Sequence, residues 1–254
     1  HREHWCFAAL GMTKSTKQAG GLANAARTNQ PWTQGFRGFL LAAEIIVMMF
    51  ALVKIGLINS LAIFTANPLL VAALSGPILG EVVGWRRWVA ICIGFVGVLI
   101  ILQPGFGVFS AWSLFAVLSS AMFAVYALLT RYVARQDSAA TSFFWTGTVG
   151  AIVTTAVGIW FWEPMNGQDW IWMIALCATG ALGHFLLIKV YEITEASAVQ
   201  PFVYFHFVFA TVIGVLVFSE TLEFNVITGC VIVITAGLFT LWRERLAATA
   251  DEAS

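Results

Sequence analysis

The sequence predicts an all-α membrane protein with eight transmembrane helices, and three observations carry that prediction. Hydrophobic residues make up 60% of the chain and charged ones 10%, with a mean hydropathy of +0.87, well outside the balance of soluble domains. Apolar runs recur at 38–58, 61–80, 88–102, 112–130, 141–162, 170–188, 202–218 and 226–242, spans a to h, and most have the length a helix needs to cross about 30 Å of hydrocarbon. The runs also lack the apolar/polar alternation of a lipid-facing barrel strand, and an open sheet leaves its backbone unsatisfied in lipid. Span c is short and borrows a turn at one end.

The few charges are placed unevenly. Arg37 precedes a, Arg86 and Arg87 lie between b and c, Arg131 and Arg135 follow d, Lys189 ends f, and Arg243 and Arg245 follow h. The alternate connections, QPGFGVFS, EPMNGQD and SETLEFN, contain no Lys or Arg, with Lys54 near the end of a as the exception. The bias of basic connections toward the cytoplasm then puts both termini inside. Trp88, Trp112, Trp162, Trp170 and Trp242 fall at span ends, where amphipathic rings favour the interface.

Internal repetition follows from the same charges. Residues 53–81 have a weak echo in 188–220: a Lys closing a span, a polar connection, an apolar run and an ending of Gly80-Glu81 or Ser219-Glu220. By the topology above, Lys54 is outside and Lys189 inside, while Glu81 is inside and Glu220 outside, so the repeats are inverted. Inversion needs an odd number of spans per repeat. Spans d to h make five, whereas a to c make three. Residues 1–36 offer one brief apolar patch at 5–10 and are expected to be a disordered or non-native tail, with Met12 a candidate initiator. That patch is too short for a secretory signal peptide.

The segments FTANPLLVAALSGPILGEVVGWRRWVAICIGFVGVLIILQPG (64–105), GALGHFLLIKVYEITEASAVQPFVYFHF (180–207) and GLFTLWRER (237–245) resemble the bacterial drug/metabolite transporter superfamily, EamA type. The resemblance covers about 37–245. It implies a ten-helix inverted-repeat transporter of five plus five helices, of which spans a to h are helices three to ten, with c and h peripheral and the cavity built by the middle helices of each half. Residues 37–105 are then a first repeat of three helices, 106–246 a second of five, and 247–254 a cytoplasmic tail. The expected location is the bacterial inner membrane.

Polar residues inside spans are costly and are functional candidates by default. Glu44 lies about 10 Å along the helix from Arg37; it reads as a proton or cation coupling site, or as an acid hydrogen-bonded between helices. Lys54 is on a different face and snorkels outward. His184, beside Gly180 and Gly183, reads as a packing histidine or a substrate contact. Tyr204 and His206 point to nearly opposite faces of span g, so one of the two is expected to face the cavity. Asn59, Thr65, Asn67 and Pro68 cluster in b, where Pro68 frees a carbonyl that Asn67 is positioned to satisfy. With Tyr126, Trp145 and Phe202 they suggest an aromatic, weakly polar cavity. Glu81 and Glu220 read as interfacial caps or gate contacts, and Arg86 and Arg87 as topology anchors.

Enzymatic chemistry is not expected. His1 and His4 fall in the tail, Cys6, Cys92, Cys177 and Cys230 have no ligand spacing, and no metal motif or phosphate loop is present. The chain therefore reads as a secondary transporter of small organic solutes with no cofactor, the alternative being a non-transporting membrane scaffold or an incomplete transporter. Its partners are the solute and the lipid bilayer, with no nucleic acid; a homodimer is left open.

Overall fold

The computed structural model describes residues 25–80, 84–103, 110–194 and 196–251. Glu81 and residues 1–24 lie outside them. The described residues form helices and no strand: α1 Pro31–Ile55, α2 Leu57–Phe64, α3 Asn67–Leu79, α4 Trp85–Leu102, α5 Ser113–Val133, α6 Ala139–Gly158 with a 3₁₀ turn Ile159–Phe161, α7 Gly167–Ile193, α8 Ala196–Phe218 and α9 Phe224–Asp251. All eight apolar runs lie along these helices. Six helical stretches are long and apolar enough to cross a membrane, α2 and α3 counting as one, while α8 and α9 contribute shorter apolar segments, Phe202–Phe218 and Phe224–Thr240.

Helix ends follow local chemistry. Pro31 sits in the first turn of α1, where its missing N–H costs nothing, so α1 starts about two turns before the apolar run that marks it in the sequence. Residues 31–36 therefore belong to a helix, which corrects their placement in the tail. Ala26 and Thr28 are held as well: the Trp145 indole donates to the Ala26 carbonyl at 3.1 Å and the Thr28 hydroxyl donates to Asp137. Ser138 caps α6 through the Thr141 N–H. At α7, Asn166 and Asp169 form a reciprocal capping box.

Span b is two helices. Its chain keeps right-handed helical dihedrals through Thr65 and Ala66 but tightens there, the Ala66 N–H donating to the Ile63 carbonyl at 3.1 Å, and Pro68 stands in the first turn of α3. Asn67 does not serve the local backbone; its amide donates across to the Ser120 carbonyl on α5 at 3.0 Å.

Packing places α1 against α5 and α6, α3 against α5, α2 against α8, and α4 against α9. The last pair crosses where small residues meet, since a Cβ added at Gly97 would come within 2.8 Å of the Gly229 carbonyl. By contrast α7 buries only Ile188 and Tyr191 among its described residues and shows Trp170, Ile171 and Trp172 on its surface, the all-round apolar character of a helix bathed in lipid.

The basic connections have structural work besides topology. Arg131 donates to the Tyr191 carbonyl at 3.0 Å and Arg135 to the Leu79 carbonyl at 3.4 Å, placing cations at the negative C-terminal ends of α7 and α3. Arg87 is buried and reaches Ser75 Oγ at 3.4 Å, Arg86 stacks on Trp85, and Lys189 pairs with Glu192 at 2.9 Å.

Candidate functional site

The seam between α1 and α5 collects the polar side chains that the apolar runs would otherwise exclude. Gln34, Arg37, Leu41 and Glu44 recur at helical spacing on the buried face of α1, and Ser119, Tyr126 and Thr130 do the same on α5. Glu44 is 5% exposed and accepts a hydrogen bond from the Ser119 hydroxyl. Among the described residues no Lys, Arg or His pairs with it. The next residue on α5, Ser120, receives the Asn67 amide through its carbonyl. Glu44 and the α2–α3 junction therefore converge on consecutive residues of α5.

That junction retains unspent hydrogen-bonding capacity. Asn67 Oδ1 and Ser120 Oγ are buried without a hydrogen-bond partner among the described residues, and such groups are uncommon in packed interiors. Thr65, 1% exposed at the junction, donates to the Ala62 carbonyl. Beside the junction lies an apolar cavity of about 360 Å³, with Ala66, Leu70, Val98 and Ala121 in its walls.

Two turns from Glu44, toward the arginine-bearing face, Arg37 is completely buried. Its guanidinium donates to Gln34 Oε1 at 2.8 Å, to the Ser142 carbonyl at 2.5 Å, to Thr130 Oγ1 at 3.2 Å and to the Tyr126 hydroxyl at 3.5 Å. Gln34 in turn donates to Asp137 at 2.8 Å, so acid and guanidinium are linked through a neutral amide. Arg37 is placed by the sequence reading as a charge ahead of span a, and Gln34 is missed altogether. Their signal was the i, i+3 spacing of two polar residues just before an apolar run, read together with Pro31 as a helix start.

The Tyr126 ring lies 5.4 Å from the Arg37 cation and meets His184 edge-on at 6.4 Å. Phe64 and Phe123 extend the row, at 5.4 Å from each other and 5.7 Å from Phe123 to Tyr126. An aromatic row thus runs from α2 through α5 to α7. It ends at a half-buried His184 whose Nδ1 has no hydrogen-bond partner among the described residues.

The other candidates do not join this group. Tyr204 is buried against Gly237 of α9 and His206 is exposed on the other side of α8, consistent with their opposite-face spacing. Phe202 is exposed, and Trp145 holds the segment ahead of α1. Asn59 lines a separate cavity of about 100 Å³ with Gln103, Ser113, Glu223 and Asn225. Lys54 lies over the Trp112 ring at 5.2 Å. The Glu220 carboxylate caps α2, not its own helix, accepting from the Leu57 N–H at 2.7 Å and the Ile58 N–H at 2.8 Å. No group of three or more His, Cys, Asp or Glu among the described residues is arranged to hold a metal.

Comparison with known proteins agrees with this architecture. The S-adenosylmethionine uptake transporter of Rickettsia prowazekii is 26% identical over 222 residues, covering 87% of this chain and 76% of the relative. The riboflavin transporter of Vibrio cholerae is 28% identical over 228 residues, covering 89% and 76%. A solved crystal structure superposes with a TM-score of 0.59 at 17% identity, over 90% of this chain and 82% of the solved one. The model of the EamA-like transporter family matches residues 6–103 and again 110–242. Those two stretches run from ahead of α1 into α9, and the chain accordingly belongs to the EamA-like transporter family, within the drug/metabolite transporters.

Proposed function

We propose that this chain is a secondary transporter that moves a small heteroaromatic metabolite across the bacterial inner membrane by alternating access, with Glu44 as the proton-coupling acid. The observation that carries the reading is the Glu44 carboxyl, buried in an apolar bundle with one hydroxyl donor and no cation beside it. Burying a carboxylate without a counter-charge is costly, and a proton removes that cost, so loading and unloading a proton changes the energy of the α1–α5 contact.

The unpartnered oxygens of Asn67 and Ser120 beside the α2–α3 junction support a solute site at the same level, since buried polar groups inside membrane spans commonly mark solute and ion pathways. The row Phe64–Phe123–Tyr126 offers faces for a planar ring, and His184 offers a nitrogen. Relatives named for S-adenosylmethionine and riboflavin, both bearing fused nitrogen heterocycles, fit that composition. The two matched stretches are read as inverted repeats, with eight membrane crossings and both termini cytoplasmic.

The test is uptake of radiolabelled S-adenosylmethionine and of riboflavin into proteoliposomes under an imposed proton gradient. The wild-type chain is expected to accumulate one of them, and Glu44→Gln to lose accumulation while keeping exchange of preloaded solute. Uphill transport unchanged in Glu44→Gln removes Glu44 from coupling. Movement of neither compound by a folded, inserted chain removes the substrate class.

A further inference from the structure

On the face of the molecule away from the arginine-bearing connections, the two family-matched stretches meet at one corner. The chain leaves α1 through Gly56, whose φ of +82° belongs to the left-handed region that favours glycine, and enters α2 with two N–H groups unpaired by its own helix. The N-cap position supplies no side chain to meet them. Instead Glu220, more than 160 residues later, closes on both: Oε1 takes the Leu57 N–H and Oε2 the Ile58 N–H.

The surroundings are shaped to let that carboxylate in. A Cβ added at Gly56 would lie 2.9 Å from Glu220 Oε1, so a glycine there leaves the carboxylate its space. At Gly214 an added Cβ would come within 2.7 Å of Ile58 Cγ1, so the Ile58 side chain packs directly on the α8 backbone there. The Gly214 carbonyl also accepts the Glu220 N–H at 2.9 Å, bending the chain after α8 so that the carboxylate points at α2. The cavity lined by Asn59 opens from the same α2, two residues past Leu57.

We propose that Glu220 is a latch: its carboxylate ties the outer end of α8 to the outer end of α2, and the outer face of the transporter opens only when that bidentate contact lets go. The proposal rests on the transporter reading above and adds to it the contact that distinguishes one access state from the other. A charged acceptor on two backbone N–H groups at a helix N-terminus is stronger than a neutral one, yet it is a single small contact that can form and break as a unit, which is what a two-state closure requires.

The experiment uses an Asn59→Cys reporter, labelled by a membrane-impermeant maleimide added outside intact cells and counted above the chain lacking that cysteine. Losing the charged contact is expected to raise the labelling rate at least about tenfold in Glu220→Gln, each charge-assisted hydrogen bond being worth more than one factor of ten. Glu220→Ala, which removes the carboxylate altogether, is expected to match it. Labelling within about twofold of the parent in both variants, with or without a lower melting temperature, makes Glu220 a helix cap only and overturns the latch.

Should either variant fail to reach the membrane, the pair Ile58→Cys with Gly214→Cys tests the same closure. Oxidation is expected to stop transport of the solute found above and reduction to restore it, and transport continuing through the cross-linked protein overturns the latch. Movement of neither S-adenosylmethionine nor riboflavin strikes the substrate reading above instead, while the labelling rates still decide the latch.

Discussion

Arg37 holds a formal charge inside the bundle without touching a carboxylate: its donors end on Gln34, Thr130, Tyr126 and the Ser142 carbonyl. Each of those acceptors is itself buried or fixed, so removing the guanidinium strands several at once, and stranded acceptors cost more than the bonds that served them. Arg37→Met is expected to lower stability by about 3 kcal/mol, in the range for breaking a buried ionic network, read as a fall in melting temperature in detergent. Arg37→Lys is expected to recover less than half of that loss, because a single ammonium cannot reproduce a planar fork that reaches α1, α5 and α6 together. Full recovery by lysine would show that charge alone matters at this position. The sequence disclosed Glu44 readily, an acid alone in an apolar run. Arg37 was harder to place, since hydropathy marks where the chain turns apolar and not where the helix begins, and α1 begins at Pro31.

The helices show where pattern reading works and where it stops. Span b appears as one continuous apolar run, and nothing in periodicity distinguishes an intact helix from two joined at Thr65 and Ala66. Pro68 marks the neighbourhood, but the partner of Asn67 at that junction, the Ser120 carbonyl on α5, lies 53 residues away and becomes visible only in three dimensions. Tyr204 and His206 were correctly put on opposite faces, yet which face meets protein depended on α9. The crossing of α4 and α9 is better encoded: Gly97 and Gly229 allow close approach, and a Cβ at Gly229 would lie 2.6 Å from the Gly97 carbonyl and 2.4 Å from Ile101 Cγ1. Gly97→Val is therefore expected to force the helices apart at a cost of about 1–3 kcal/mol, the usual range for overpacking. Gly147→Val, where no atom lies within 4 Å of an added Cβ, is expected to change the melting temperature by less than a third as much. Equal effects at both positions would mean that the crossing is looser than this geometry.

At the scale of the whole molecule, the same arginines can be read twice, and the two readings need not agree. As charges they orient the chain by their side of the membrane; as side chains they close helix ends, Arg131 on α7 and Arg135 on α3. A residue retained only as a helix cap would say nothing about topology, so the crossing pattern calls for its own test. Single cysteines at Gln136, between α5 and α6, and at Asn166, ahead of α7, flank one membrane-length helix with its 3₁₀ turn. If α6 crosses and the basic side is cytoplasmic, an impermeant maleimide outside intact cells is expected to label Cys at 166 and to label Cys at 136 only after permeabilisation. Substituting Arg131 and Arg135 by Gln should leave that pattern intact if the remaining basic connections suffice, since orientation sums over short loops. Labelling of both cysteines from outside would mean that α6 lies along the membrane or re-enters it. The two family-matched stretches could not then be inverted copies of one another, because inversion needs an odd number of spans in each and the five of the second stretch would fall to four.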